Sequence, residues 1–254
     1  MESQHIPLLE FDDTAIAKAM PYHFNIVNGL PERCVIAFSH GSVDDTAKKY
    51  GAHMIGEISS CTCEIPVYAL EYNGQKVALV CGYMGAANAA MQIEELFFGG
   101  ARKFVVCGSA GSLTPNPLGA LVIPTSAIRD EGASFHYAPP SYEIEADREV
   151  TDRIADTLAS LGVPYTFGKT WTTDAFYRET EEKVALRRAQ GCLTVEMEAS
   201  AMMAAAQFRG AKLGQILYCG DDLSGNGYDH RGFFDATDIQ HMLVELSIEC
   251  CAVL

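Results

Sequence analysis

Short apolar runs alternate with amphipathic segments along this chain, a pattern typical of an α/β domain. The apolar runs predict strands at Cys34–Phe38, Val67–Tyr72, Val77–Cys81, Lys103–Cys107, Leu121–Pro124, Phe167–Thr172 and Gln215–Cys219. Helical periodicity predicts helices at Ala86–Gly99, Ile144–Gly162, Arg178–Ala189 and near Ala236–Leu254. Asn73-Gly74, between two of the runs, predicts a hairpin turn. Because there is no Pro/Ser-rich linker and no internal repeat, we expect residues 1–254 to form one domain around a central sheet.

The stretch Leu193–Ser200 contains two carboxylates, Glu196 and Glu198, and leads into an alanine-rich run that reaches Ala206. Burying a carboxylate is costly unless other groups satisfy it. Residues two apart share a face on an extended segment but not on a helix. We therefore expect a strand-to-helix junction that directs both carboxylates into a site, followed by a buried helix. The alternative is a pair of acids that only cap the helix and accept hydrogen bonds within the protein.

Three of the predicted strands run directly into small or polar residues. These segments are Ser39–Ser42, Gly108–Gly111 and Gly220–Asp222. In open α/β sheets ligands bind at the carboxyl ends of strands, where glycine permits close backbone approach. Each segment is weak evidence alone, but together with the acidic junction they predict a ligand site.

Particular side chains in these segments suggest chemistry. The backbone at Gly108 and the hydroxyl of Ser109 could hold an anion or a sugar, although a plain turn is the alternative. Asp221 ends a buried strand, and a carboxyl whose pKa is raised there could protonate a leaving group. Its neighbour Asp222 could equally be a helix N-cap. Phe176 could stack on a flat heterocycle, with core packing as the alternative.

Composition excludes several classes of function. The net charge of −15 and the absence of a basic cluster argue against a nucleic-acid surface. No apolar run approaches the roughly 20 residues of a membrane span, and Met1–Glu10 is not a signal peptide. Nine cysteines, several in apolar runs, indicate reduced thiols in a cytoplasmic protein. Cys61/Cys63 and Cys250/Cys251 are the close cysteine pairs, and neither is followed by a second pair at the spacing of a metal site. No metal is therefore expected.

An ordered set of motifs spread over roughly residues 33–254 resembles one family. The motifs are Gly108–Gly111, Arg129–Pro139, Asp174–Tyr177, Val195–Ala199 and Gly220-Asp221. The chain is similar to the nucleoside phosphorylase superfamily, which includes purine nucleoside phosphorylases, uridine phosphorylases and methylthioadenosine/S-adenosylhomocysteine nucleosidases. This resemblance implies a single α/β domain with a central mixed β-sheet flanked by helices. It also implies a homodimer or homohexamer, with residues 1–30 as an N-terminal extension at a subunit interface.

The resemblance also implies roles for individual residues. Glu198 would hold the ribose hydroxyls, with Glu196 beside it, and Met197 would pack under the sugar. Phe176 would stack on the base and Asp221 would protonate a purine leaving group. The short match at residues 5–8 implies that His5 reaches the ribose of a neighbouring subunit. Such groups suit the cleavage of an N-glycosidic bond through a ribosyl cation.

The chain departs from the family where phosphorylases bind phosphate with arginines. A gap-free match places Asp45 at the first of these positions and Val106 at the second, and Cys63–Pro66 offers no cation for the third. Replacing an arginine by an aspartate turns attraction for phosphate into repulsion. Asp45 is therefore a candidate to activate water, as an acid does in the nucleosidases. Arg178 is the cation closest in sequence to Phe176 and could replace a lost anchor.

The resulting prediction is an enzyme that cleaves a purine nucleoside with phosphate, giving the free base and ribose 1-phosphate. No cofactor is expected, and phosphate is the expected co-substrate. Hydrolysis of the same bond by a nucleosidase is the first alternative, because the phosphate-binding arginines are not matched. The second alternative is a nucleoside-binding protein that keeps the fold without catalysis.

Overall fold

The computed structural model describes residues 6–61 and 63–254. The strands are β1 (Arg33–Ala37), β2 (His53–Ser59), β3 (Glu64–Tyr72), β4 (Gln75–Cys81), β5 (Lys103–Ser112), β6 (Leu121–Asp130), β7 (Glu143–Glu145), β8 (Tyr165–Thr173), β9 (Cys192–Glu196) and β10 (Lys212–Asp222). The helices are α1 (His40–Lys49), α2 (Ala86–Gly99), α3 (Arg148–Ser160), α4 (Glu181–Ala189), α5 (Ala199–Arg209) and α6 (Thr237–Ala252).

All these strands belong to one mixed sheet, and part of it closes on itself. The strand order is β10-β6-β8-β9-β5-β1-β4-β3-β2, with β7 paired to β6. Because β10 also pairs with β5, the five strands β5, β9, β8, β6 and β10 form a closed ring. Strands β1, β4, β3 and β2 continue the sheet outward from β5, and β7 lies beside β6. The predicted α/β fold with a central mixed sheet is thereby confirmed.

The hairpin predicted at Asn73-Gly74 joins β3 to β4 in antiparallel register, with Tyr72 opposite Gln75. Asn73 has φ 49 and Gly74 has φ 74. Two successive residues with positive φ form the turn that matches the right-handed twist of the flanking strands. The sequence signal and the local conformation therefore agree.

Helix α5 is buried along almost its whole length. Ala199 through Ala206 are all buried, as the alanine-rich run predicted. Small side chains allow α5 to approach the surrounding sheet and helices closely. This packing fixes the N-terminus of α5, where Glu198 lies.

Several predicted boundaries are wrong. The segment predicted as the start of a helix at Ile144 is instead β7, and α3 begins at Arg148. The Asp147 carboxylate caps α3 by accepting the Val150 N–H. Helix α4 begins at Glu181 and not at Arg178, because Thr180 is its N-cap. Strand β2 and helix α1 were not predicted.

Other features of the described residues bear on the excluded classes. Seven of the cysteines are buried, whereas Cys61 and Cys63 are exposed, and the structure contains no disulfide. Residues 6–61 and 63–254 contain no group of three or more His, Cys, Asp or Glu side chains placed to hold a metal. Within the same residues, no helix has the length and apolar character needed to cross a bilayer.

Candidate active site

Four parallel strands end at the same edge of the sheet. β5 pairs in parallel with β1 and with β10, and β1 pairs in parallel with β4. Ser39 follows β1, the segment 82–85 follows β4, and Asp221 lies at the end of β10. The sheet therefore gathers the residues that the sequence placed after separate strands.

The segment Gly108–Gly111 was predicted to be a turn after a strand, but the structure places it within the C-terminal half of β5. A Cβ atom at Gly108 would lie 3.0 Å from the Cβ of Phe38, and one at Gly111 would lie 2.7 Å from Leu223 Cδ1. The glycines therefore allow close packing on both sides of the strand. The pairing of β5 with β1 ends at Cys107. Farther along β5, Gly111 pairs with Val195 of β9.

Ser109 lies in this stretch of β5, opposite Tyr218 of β10, and is half-buried. Its Cβ lies 3.4 Å from the position that a Cβ on Gly220 would take. Tyr218 also accepts a 3.4 Å hydrogen bond from the Gln240 side chain, which in turn accepts one from Ser39 Oγ at 2.9 Å. Polar groups thus connect the ends of β1, β5 and β10.

Glu196 is engaged entirely within the protein. Its Oε2 accepts the N–H groups of Glu198 and Ala199 at 2.7 and 2.6 Å. Its Oε1 accepts the hydroxyl of Thr172 at 2.7 Å and that of Thr170 at 3.4 Å. Oε2 therefore caps the start of α5, and Oε1 joins this junction to β8. This is the hydrogen-bonding alternative considered for the acidic pair.

A buried network continues from this cap. The Ser200 N–H donates to Thr172 Oγ1 at 3.0 Å, and Ser200 Oγ donates to Glu131 Oε1 at 2.8 Å. Glu131 also accepts the Ser134 N–H at 3.0 Å, and Arg129 Nε donates to Ser134 Oγ at 2.8 Å. The loop after β6 and the first turn of α5 are therefore held in one arrangement.

Replacing Glu196 by alanine is expected to lower the free energy of unfolding by about 2–4 kcal/mol, because buried N–H and hydroxyl donors lose their acceptor. Urea denaturation followed by circular dichroism measures this. Glu196→Gln keeps one acceptor oxygen and should lose less. A loss below about 0.5 kcal/mol for Glu196→Ala would show that the cap does not stabilise α5.

Glu198 differs from Glu196 because its acceptor capacity is only partly used. The Gly85 N–H donates to Glu198 Oε1 at 2.6 Å, and the Met197 N–H donates to Oε2 at 3.3 Å. Gly85 is the N-cap of α2 and has φ 91, a conformation that favours glycine. Burial, followed by the charge of Glu196, raises the pKa of Glu198 to about 8. Met197, between the two acids, is half-buried.

Asp221 and Asp222 have different surroundings, as their positions at a strand end led us to expect. Asp221 Oδ2 lies 3.6 Å from the position of a Cβ on Gly111, against the strand β5. Burial raises the pKa of Asp221, and nearby Arg231 partly opposes that shift. Asp222 Oδ1 instead accepts the Ser224 N–H at 2.7 Å in a local turn. Asp221 is thus the carboxyl available to a ligand.

Arg231 lies in the loop that follows β10. Its guanidinium donates to the backbone oxygens of Asp221 at 3.0 Å and Asn116 at 2.6 Å. It therefore holds the end of β10 in place. Its φ of 48 lies in the left-handed region, so the loop after β10 is conformationally constrained.

Phe176 and Arg178 lie on a 3-10 turn after β8. Phe176 is 43% exposed and its ring centroid is 4.0 Å from that of Tyr177. Arg178 is exposed. The Asp174 carboxylate accepts the Gly132 N–H at 3.0 Å, which ties this turn to the loop after β6. An exposed ring next to a strand end is available for stacking.

The structure does not bring Asp45 to these residues, so its candidacy as a water-activating acid is corrected here. Asp45 lies on the exposed face of α1, 3.3 Å from Lys48 Nζ and 3.4 Å from His241 Nε2. The helix itself explains this, because α1 begins at His40 directly after the N-cap Ser39, which turns Asp45 toward α6. Val106, at the second arginine position, is in the core at 0% exposure.

The prediction for His5 lies outside the described residues. The N-terminal segment that follows it borders a cavity of about 1320 Å³. Most of residues 12–25 line this cavity, and Met84, Glu94 and Tyr137 are among the other lining residues. Met84 directly precedes Gly85, so the cavity opens next to the Glu198 contact.

Glu179 was not singled out from the sequence. Burial, and next the charge of Asp221, raises its pKa to about 7. In the sequence it is one acid among several at the start of α4. One signal in the sequence could have indicated it. Glu179 lies three residues after Phe176 and two residues before the first residue of α4.

Together, the fold and these residues define an enzyme of the nucleoside phosphorylase class. Residues 32–251 match the model of the phosphorylase superfamily. The chain therefore belongs to the phosphorylase superfamily, and the predicted family and enzyme class are confirmed. Phosphorylases of this family use phosphate as the co-substrate and need no cofactor.

Three relatives illustrate the range of the family. A uridine phosphorylase of Thermococcus kodakarensis is 38% identical over 108 residues, covering 42% of this chain and 39% of that protein. The uridine phosphorylase of Escherichia coli is 23% identical over 217 residues, covering 79% and 85%. A guanosine phosphorylase of Halorubrum lacusprofundi is 28% identical over 154 residues, covering 60% and 64%.

Solved structures show the same fold at low identity. A uridine phosphorylase from Vibrio fischeri superposes with a TM-score of 0.78 at 22% identity, covering 90% of this chain and 95% of the other. Purine nucleoside phosphorylase from Toxoplasma gondii gives 0.76 at 22% identity, covering 88% and 91%. AMP nucleosidase from Bacteroides thetaiotaomicron gives 0.72 at 22% identity, covering 88% of each chain.

Proposed function

We propose that this protein cleaves the N-glycosidic bond of a purine nucleoside and transfers the ribosyl group to phosphate. One observation carries the proposal. Asp221 lies against Gly111 of β5, and Gly111 pairs with Val195, three residues before Glu198. The acid for the leaving group therefore lies against the β5–β9 strand pairing that leads to the carboxyl for the sugar.

Glu198 binds the sugar and stabilises its charge in this reaction. Ribose hydroxyls donate to the lone pairs of its carboxylate that Gly85 and Met197 leave unused. The ionised carboxylate also stabilises the positive charge that develops on the ribosyl group as the bond breaks. Met197 packs under the sugar ring, and Glu196 holds the backbone of this junction.

Asp221 and Phe176 act on the base. The protonated Asp221 donates to N7 of the purine, so the base departs without negative charge. Burial favours this protonated form, since it raises the pKa of the carboxyl. A pyrimidine has no N7, and we therefore propose a purine substrate. Phe176 stacks on the base.

Phosphate, the acceptor, is held without an arginine in this proposal. Ser39 and Ser42 stand at the N-terminus of α1, with their hydroxyl oxygens 2.9 Å apart. Helix N-termini attract anions because their N–H groups point outward. The hydroxyl of Ser109 and the backbone of Gly108 lie on the neighbouring strand β5.

Hydrolysis remains a second candidate because of the substitutions already described. Val106 is buried in the core, and Asp45 is exposed and paired with Lys48 and His241. Without an arginine at either position, water is the other available acceptor. Neither candidate requires a cofactor or a metal.

The experiment that separates them is the release of base from guanosine, inosine, adenosine, uridine and methylthioadenosine, with and without phosphate. We expect base release that requires phosphate, is accompanied by ribose 1-phosphate, and is faster for purine than for pyrimidine nucleosides. Equal release without phosphate would replace phosphorolysis by hydrolysis. Binding without turnover of any nucleoside would exclude both and favour a binding protein.

We propose in addition that the protein is a cytoplasmic homodimer or homohexamer. The cavity beside residues 12–25 leaves space next to Gly85 that a neighbouring subunit would fill. In such an assembly residues 1–30, including His5, lie at the subunit interface.

A further inference from the structure

Gln240 is a polar residue on the face of α6 that packs against the core. It lies in the first turn of the helix and is half-buried. Leu243 and Val244, three and four residues later, are buried, and residues at these spacings share one face of a helix. A partly buried amide needs partners within the protein, because it has lost contacts with water.

One partner of Gln240 lies at the start of α1. Ser39, the N-cap of that helix, donates from its Oγ to Gln240 Oε1 at 2.9 Å. The N–H of Phe38, just before it, donates to the Cys107 carbonyl of β5 at 2.9 Å, which holds this segment beside β5. A serine hydroxyl rotates freely unless a neighbour fixes it. The amide of Gln240 therefore sets the direction of the Ser39 hydroxyl.

The other partner of Gln240 lies on β10. Gln240 Nε2 donates to Tyr218 Oη at 3.4 Å. Tyr218 is 2% exposed and lies opposite Ser109 in the pairing of β10 with β5. Burial raises the pKa of Tyr218, and hydrogen bonds from Gln240 and Ser109 oppose that shift. One side chain of α6 thus connects both groups of hydroxyls in the proposed phosphate site.

We propose that Gln240 positions the hydroxyl groups that bind phosphate, holding Ser39 directly and Ser109 through the neighbouring tyrosine. The proposal rests on the proposed function and adds a residue of α6 to its phosphate side. Neutral hydroxyls bind an anion well only when the surrounding groups hold them in place. An amide does this without adding charge, because it accepts at one end and donates at the other. Its loss weakens the binding of phosphate but not of the nucleoside.

The test compares wild type with Gln240→Met and the control Ser247→Ala in the phosphorolysis of inosine. Methionine keeps the length of the side chain but has no amide. Ser247 is buried two turns farther along α6 and donates to the Leu243 carbonyl at 2.8 Å, so its variant tests a disturbance of the helix alone. For Gln240→Met we expect KM for phosphate to rise about 10-fold, with KM for inosine and kcat changed less than about 3-fold.

Two further variants separate positioning from packing. Gln240→Glu keeps the size and the acceptor for Ser39 but places a negative charge near the anion, so KM for phosphate should rise more than in Gln240→Met. Tyr218→Phe removes the other partner and should raise KM for phosphate as well, with little added effect in Gln240→Met. An unchanged KM for phosphate in Gln240→Met, or an equal rise in Ser247→Ala, would overturn the proposal.

Base release that does not depend on phosphate would remove the proposed phosphorolysis, and calorimetry with inorganic phosphate then tests Gln240 by itself. Phosphate binding to wild type that Gln240→Met weakens about 10-fold supports the positioning role. Equal binding to both proteins, or no binding of phosphate to wild type, contradicts it.

Discussion

Asp221→Asn is expected to lower kcat on purine nucleosides by about 10²- to 10⁴-fold, with KM changed only a few-fold. The amide has the size of the carboxyl but cannot transfer a proton to N7. Burial raises the pKa of the Asp221 carboxyl and so favours the protonated form that the reaction needs. Steady-state kinetics on inosine and guanosine measure the effect.

Two controls make this result specific. Asp222→Asn changes the adjacent carboxylate, which is engaged with the Ser224 N–H, and should leave kcat within a few-fold of wild type. The second control is 7-methylguanosine, whose methylated N7 needs no proton before the base leaves. Its turnover should be nearly the same in Asp221→Asn and wild type. An equal loss on guanosine and 7-methylguanosine would remove Asp221 from the role of acid.

The strands, the hairpin and the buried helix α5 followed from local patterns, because apolar runs and turn residues act over a few positions. The acidic junction shows what such local patterns cannot predict. Spacing alone predicted that Glu196 and Glu198 face one site. The fold gives Glu196 four donors from β8 and α5, and this depends on which strand lies next to β9.

The strand β5 shows the same limit on a larger scale. A glycine segment after an apolar run reads locally as a turn, yet Gly108–Gly111 continues the strand. The glycines are needed for the approach of Phe38, Leu223 and Val195, residues remote in sequence. The closed ring of strands was likewise not visible in the pattern, since it depends on the second pairing of β10.

Register explains the correction at Asp45. A gap-free match to a motif fixes a residue's number along the chain but not the helix face on which it lies. Helix α1, with few apolar residues, was not predicted, so the direction of Asp45 could not be derived. Glu179 was missed for a related reason, since the burial and the charge of Asp221 that raise its pKa to about 7 depend on how distant parts of the chain pack.

Glu198→Gln is expected to lower kcat/KM on ribonucleosides by about 10²- to 10³-fold, because the amide has no negative charge to stabilise the ribosyl cation. The ionised carboxylate is the active form. As pH rises through about 8, the pKa to which burial and Glu196 raise this group, the ratio of wild-type to variant kcat/KM should increase. Using this ratio cancels the titration of Asp221, which is common to both proteins.

The same raised pKa has an opposite consequence for stability. A carboxyl whose pKa is higher in the folded than in the unfolded state contributes stability below about 4.5, and that contribution is lost as pH rises through about 8. The free energy of unfolding of wild type should therefore fall more steeply over this range than that of Glu198→Gln. Urea denaturation at several pH values measures the difference between the two slopes.

A substrate without the ribose 2′- and 3′-hydroxyls tests whether Glu198 binds them. On 2′,3′-dideoxyinosine, which lacks both hydroxyls, Glu198→Gln should lose clearly less activity than on inosine, because the hydrogen bonds are already absent. What remains is the effect of the charge on the ribosyl cation. Losses of the same size on the two substrates would show that Glu198 does not hold the hydroxyls, and a constant wild-type to variant ratio across pH would show that its ionisation has no part in the reaction.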